Sequence, residues 1–192
     1  MSKLRRIFNI IPDGKLFIRL FKFKSQKTII AENYLASIKS QFRNQKLLGE
    51  KTFVQLEDAH FFWRYNEQSN SIAVIVKHLR GNMLSRWTDF LSSNGEKEWR
   101  KRQNEFVNDI KSRDEIMALW EEGWKLTFDT LENISAKDLT KIIFIRTKRY
   151  TVIGAINRQL AHYSYHVGQI VYIGKMLNEK NWISLYIPRD EY

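Results

Sequence analysis

The stretch Thr151–Leu177, TVIGAINRQLAHYSYHVGQIVYIGKML, carries no proline and repeats its apolar residues at helical period. Ile153, Ile156, Leu160, Tyr163, Val167, Ile170, Ile173 and Leu177 follow one another at steps of three and four, the stripe of a helix buried along one side. Thr151 suits the N-cap, where its hydroxyl can accept from a free N–H of the first turn. Beside the stripe stand His162 and His166. Residues four apart lie one turn above each other and project from the same face, a separation at which two imidazoles can reach one metal ion. A catalytic zinc-type site uses three protein ligands and leaves one position open, so the pair needs a third ligand from elsewhere in the chain.

Three further segments read as helices. Ile29, Ile30, Tyr34, Ile38 and Phe42 pattern the first, over 26–48, with Gly49 as a plausible stop. The second, over 70–92, starts at Asn70-Ser71 and buries Ile72, Ile75, Val76, Leu79, Met83, Trp87, Phe90 and Leu91. Gly81 inside it costs about 1 kcal/mol against alanine, which points to close packing or to approach by a ligand. The third, over 112–133, opens on Ser112 with Glu115 three residues on, the spacing of a capping box. The fourth covers 151–178. Between the helices, residues 92–111 read as a long solvated crossover, and Ile142–Tyr150 is β-branched enough to be extended. The apolar tail Trp182–Pro188 should fold back on the helices. Four long amphipathic helices predict an all-α four-helix bundle.

At 192 residues the chain can bury one good core, and 43% hydrophobic residues are enough to fill it. No apolar run approaches the length of a membrane span. Cysteine is absent, which removes disulfides, thiolate metal sites and cysteine nucleophiles together, and leaves histidine and carboxylates as the metal-binding side chains. A reducing cytoplasm is compatible with this composition and is the expected location.

The charge is uneven. Residues 1–30 hold eight basic side chains against the one acid Asp13, which is +7 of the formal net charge of +11. The rest of the chain is ordinary in charge, so no nucleic-acid partner is expected. Residues 1–25 read as a basic amphipathic extension to a domain over 26–192. Pro12-Asp13-Gly14 marks a turn within it, and Leu16, Phe17, Leu20 and Phe21 would share one face of a helix. Such a helix can pack on the domain or on a partner subunit, which is the preferred reading, or make a peripheral membrane contact through residues 1–24.

Of the two other histidines, His60 falls in a connection and His78 on the core side of the second helix. Side chains from separate helices converge inside a bundle, so His78 is the better third ligand. Three neutral imidazoles suit zinc or nickel, with manganese, iron or cobalt as alternatives. The residue after His162 is Tyr163, so the glutamate base of an HExxH protease is missing. Neither histidine of the pair follows an acid at the Glu-x-x-His spacing of a di-iron bundle. A mononuclear site of this kind suits a ligand that ionises on the metal, such as water or a thiol. Asn82 and Arg86, one and two turns after His78, and Gln169, three residues after His166, are candidates to steady a ligand imidazole or to hold a substrate, and Gln159 is a weaker one. The catalytic residues themselves are not specified by these motifs.

The runs NSIAVIVKHLRGNMLSRWTDFL (70–91), GEKEWRKRQNEF (95–106), RQLAHYSYHVGQIVYIGK (158–175) and WISLYIP (182–188) closely resemble the DinB-like superfamily. The nearest branch is one known as a domain of unknown function, related to the YfiT-like metal-dependent hydrolases. The resemblance covers roughly residues 30–190 and implies an up-up-down-down four-helix bundle, often a homodimer. It implies that His78, His162 and His166 bind a divalent metal. Some relatives resemble transferases that use a low-molecular-weight thiol, so the expected function is thiol-dependent S-transfer or hydrolysis of a small-molecule substrate. The alternative is a dimeric helical bundle that binds metal or a partner without turnover.

Overall fold

The computed structural model describes residues 25–186 in full, together with the backbone of residues 6–10 and 16–20. Four helices form the bundle: α1 (Gln26–Phe53), α2 (Ile72–Trp87), α3 (Arg113–Glu132) and α4 (Val152–Leu177). Each begins where a hydroxyl can take up a free N–H. Ser25 accepts from Thr28, Ser71 from Val74, Ser112 from Glu115 and Thr151 from Gly154.

Two helix ends differ from the sequence reading. Gly49 does not stop α1, which continues to Phe53. The glycine is buried because the Trp120 ring lies on it, and a Cβ there would sit 2.5 Å from Trp120 Cζ2. Helix α2 ends at Trp87, ahead of the expected 92, where Thr88 turns extended and Asp89 takes a φ of 53°.

The helices enclose one core. A ring from each meets at its centre: Phe42 of α1, Trp87 of α2, Trp124 of α3 and Tyr163 of α4. Phe42 meets the other three edge-on at 5.8, 6.5 and 5.9 Å between centroids. Edge-to-face pairs of this kind add about 0.5–1.5 kcal/mol beyond area burial. The indole N–H of Trp87 donates to the Tyr163 hydroxyl over 2.9 Å, so neither polar atom is stranded in the core.

The bundle is the expected all-α, four-helix kind, with its helix directions arranged differently. Arg80 pairs with Glu122 and the Thr130 hydroxyl bonds the Trp87 carbonyl, so α2 and α3 run parallel. Tyr34 reaches Asn157, and Thr52 lies against Gly174, so α1 and α4 run parallel. Lys39 meets Glu132 and Lys46 meets Glu121, which makes α1 antiparallel to α3. In chain order the directions are up, down, down, up, a cyclic shift of the expected up-up-down-down. The long connection 88–112 is what makes this possible, because α2 with its 16 residues is only about 24 Å long and can be spanned on the return.

That connection is not a solvated crossover. It folds back on α2 and buries Glu105 and Ile110. Between α3 and α4, β3 (Ile142–Ile145) and β4 (Lys148–Thr151) form the expected extended piece as an antiparallel hairpin, with Ile143 and Ile145 buried. The start of the tail returns to the bundle, where the N–H of Ile183 donates to Gln55 Oε1 at 2.7 Å. The rest, beyond residue 186, lies outside the described residues.

Residues 16–20 are a strand rather than part of an amphipathic helix. They form β2 (Leu16–Leu20), antiparallel to β1 (Arg6–Ile10), with Phe8 opposite Ile18 and Ile10 opposite Leu16. The composition explains the correction: Ile7, Phe8, Ile10, Phe17 and Ile18 are β-branched or aromatic, and the Pro-Asp-Gly sequence between the runs favours a hairpin. What the side chains of this hairpin cover lies outside the described residues. Among the described residues no helix is long and apolar enough to cross a membrane.

Candidate metal centre

Helix α2 carries His78 on the side that faces α4, and α4 carries His162 and His166 one turn apart toward α2. Their candidate ligand nitrogens all lie within 4.8 Å of one another. His162 Nε2 is 3.4 Å from His78 Nε2 and 3.2 Å from His166 Nε2. The three rings pack edge to face, at 4.7–5.4 Å between centroids. His60 is elsewhere, in the 3-10 turn Asp58–Phe61, where its Nδ1 accepts from the Glu57 N–H.

The protons on these rings decide whether a cation fits. His78 Nδ1 is 2.9 Å from the Glu105 carboxylate, an acceptor, so this nitrogen carries the hydrogen and Nε2 offers its lone pair. His166 Nδ1 is 2.9 Å from Gln169 Oε1, which sets the same tautomer. His162 Nε2 therefore faces two lone pairs and could donate to only one of them. A shared cation removes the conflict, since all three Nε2 lone pairs would then point at it. The spacing agrees: ligands about 2.0–2.1 Å from a tetrahedral zinc stand about 3.3–3.4 Å apart. The donor set and its geometry fit a divalent metal.

The electrostatics favour neutral imidazoles at His162 and His166. Burial, with His166 and His78 adding to it, pushes His162 down to about 3. Burial also pulls His166 down, against the opposing bond from Gln169. Glu105 behaves in the other sense. Burial would raise its carboxyl, but hydrogen bonds from His78 and Arg100 outweigh that and hold it below its usual value. It stays ionised.

Glu105 had no role in the sequence reading. It sits in the 3-10 turn Arg102–Phe106, within a segment that looks hydrophilic throughout, and only the fold brings it to His78. The one available signal was Gly81, a glycine one turn from His78. A Cβ at that position would lie 2.4 Å from Glu105 Oε1. The next residue, Phe106, stacks on the His78 ring at 5.1 Å, and Tyr165 meets His166 edge-on at 5.0 Å.

The remaining candidates are divided between the cluster and the core. Gln169 reaches the His166 imidazole, as described. Asn82 does not: its Oδ1 accepts from Gln159 Nε2 at 2.9 Å and from the Tyr163 hydroxyl at 3.3 Å, inside the core. Arg86 is buried and donates to the carbonyls of Gly95 and Asn94, which ties the start of the 88–112 connection to α2. No carboxylate belongs to the metal-competent group among the described residues, and Glu105 faces the far nitrogen of His78.

The family DUF1572, described as a protein of unknown function, matches residues 29–191, and the chain belongs to it. No curated protein matches. Among solved structures the fold is similar to that of a DinB-like protein, YjoA, from Bacillus subtilis. The two are 18% identical, with a TM-score of 0.57 over 80% of this chain and 99% of that one. At this identity the likeness shows the DinB-like fold.

Proposed function

We propose that this member of DUF1572 holds one divalent metal ion on the Nε2 atoms of His78, His162 and His166, and that it is an enzyme transferring a small thiol. The observation that carries the reading is the set of three Nε2 atoms facing one another, two of them forced into the lone-pair form by acceptors at Nδ1. A divalent ion in this position lowers the pKa of a thiol or water bound to it and so supplies a nucleophile near neutral pH. The three imidazoles are neutral donors and leave the ion its full charge for that purpose. Phe106 and Tyr165 flank the rings with much of their surface exposed, and offer apolar walls to a substrate. Transfer is preferred to hydrolysis because a thiol needs no protein base to ionise there, whereas hydrolysis needs proton transfers. The nearby carboxylate, Glu105, is occupied by Arg100 and His78 on the wrong side of the ring.

Metal content after purification without added metal, followed by zinc titration against a chromophoric chelator, tests the first half. One ion per chain is expected. His78→Ala, His162→Ala and His166→Ala should each weaken zinc by more than about 100-fold, beyond the effect usual for outer partners of a ligand. His60→Ala should change nothing. Loss of metal in His60→Ala with retention in His78→Ala would show the third ligand to be misassigned. For the second half, turnover of a small electrophile is measured with a panel of low-molecular-weight thiols. A metal-loaded protein inactive with every thiol would leave a metal-binding bundle without turnover.

A further inference from the structure

The segment 100–106 grips His78 from two sides, through Glu105 at its Nδ1 and Phe106 on its ring face. The carboxylate itself is fixed. Arg100 Nε donates to Oε1 at 2.7 Å and Nη2 to Oε2 at 3.0 Å, a two-pronged pair in which both side chains are more than nine-tenths buried. A buried pair of this kind is weak as a source of stability, because desolvation of both charges offsets most of its attraction. It is strong as a source of geometry. Helix α2 leaves room for it by placing Gly81 under the carboxylate.

We propose that Glu105 is a positioning residue for the metal centre, held by Arg100 and admitted by Gly81, which fixes the His78 ring and keeps its proton on Nδ1. The inference rests on the metal-binding reading above. Glu105 makes the Nε2 lone pair of His78 permanently available and, by accepting from Nδ1–H, makes that imidazole a better donor to a cation. The centre is therefore unsymmetrical. His78 is backed by a charge, His166 by the Gln169 amide, and His162 Nδ1 is buried without a hydrogen-bond partner among the described residues. Removal of the Glu105 charge should weaken the metal although Glu105 never touches it.

The test uses the full chain, with zinc as the probe, in wild type, Glu105→Gln and Gly81→Ala. In Glu105→Gln the new amide offers Arg100 its oxygen and turns an N–H toward His78, which reverses the imidazole tautomer. Gly81→Ala keeps every charge and displaces the carboxylate. Both should lose about 10–100-fold in zinc affinity. Nitrogen-15 NMR of the metal-free imidazoles supplies a readout that lost stability alone would not move: Nδ1–H on His78 in wild type and Nε2–H in Glu105→Gln. Zinc affinity within about twofold of wild type in both variants, with the tautomer unchanged, would overturn the proposal while leaving the metal reading intact. No zinc on wild type would remove the metal reading and this proposal with it. Should Glu105→Gln fail to fold, Gly81→Ala and the wild-type tautomer decide: Nε2–H on His78 in the wild type overturns the proposal.

Discussion

His162 is the ring that suffers most from proximity. It lies between two other imidazoles, partly buried, and is pushed down to about 3 from an ordinary 6.5 by burial first and its neighbours second. In the folded, metal-free protein it stays neutral across that window, whereas in the unfolded chain it takes up a proton. The unfolded state thus binds more protons between pH 3 and 6.5, and stability falls as pH drops through this range. His166, also lowered, acts in the same sense. Denaturant midpoints of metal-free protein measured against pH should therefore decline on the acid side of neutrality, and His162→Gln should flatten that decline. An NMR titration of His162 with a midpoint above about 6 would contradict it. The pair His162/His166 was legible because helical geometry turns a four-residue spacing into adjacency. His78 was legible from its place on the core side of α2. Glu105 was not, since its partners come from the return of an irregular segment, and hydrophilic composition does not distinguish a buried carboxylate from a solvated one. Asn82 shows the opposite failure: its spacing from His78 suits an imidazole contact, but the Tyr163 hydroxyl and Gln159 in the facing helix take its oxygen.

Helix starts were more legible than helix stops. A hydroxyl cap is a local device: Ser112 and Thr151 act as read, Ser71 is the member of the Asn70-Ser71 pair that caps α2, and Ser25 does the same for α1. A glycine is ambiguous, because it serves either as a terminator or as a place where something large comes close. In α1 the second use wins at Gly49, and this makes the helix sensitive to a change that propensity alone would favour. Alanine gains about 1 kcal/mol of helix propensity over glycine, yet its Cβ would stand 2.5 Å from the Trp120 ring, which is 2% exposed and has no room to retreat. Overpacking of a dense core costs about 1–3 kcal/mol. The clash is with a rigid ring rather than a flexible end, so the upper part of that range applies and Gly49→Ala should destabilise the protein by about 1–2 kcal/mol net. Urea unfolding would show a lower midpoint at an unchanged slope; a raised midpoint would mean that α1 and α3 can separate freely.

At the scale of the whole molecule, composition and period were sufficient for four helices and one core, but not for the order of their directions. Either arrangement buries the same stripes, and the choice depends on which connections can span the bundle. The same period argument misread residues 16–20, because a short run of apolar residues fits a helix face and a strand equally well. The bundle starts at its own cap, Ser25, and the family match starts at residue 29, so the three-histidine cluster is built without the hairpin β1–β2. A two-stranded hairpin is marginal alone in water and needs a surface to cover. We propose that β1–β2 is an arm that packs on this chain or on a second copy of it, rather than an anchor to anionic membranes. Burial of apolar surface, at about 25 cal/mol per Å², is insensitive to salt, whereas attraction of basic residues to an anionic leaflet is screened. Deletion of residues 1–24 should therefore lower the melting temperature equally at low and high salt and leave zinc affinity unchanged, and the full chain should not co-sediment strongly with anionic vesicles. Strong binding to vesicles at low salt that disappears in the deletion, with the melting temperature unmoved, would show that the arm is an anchor.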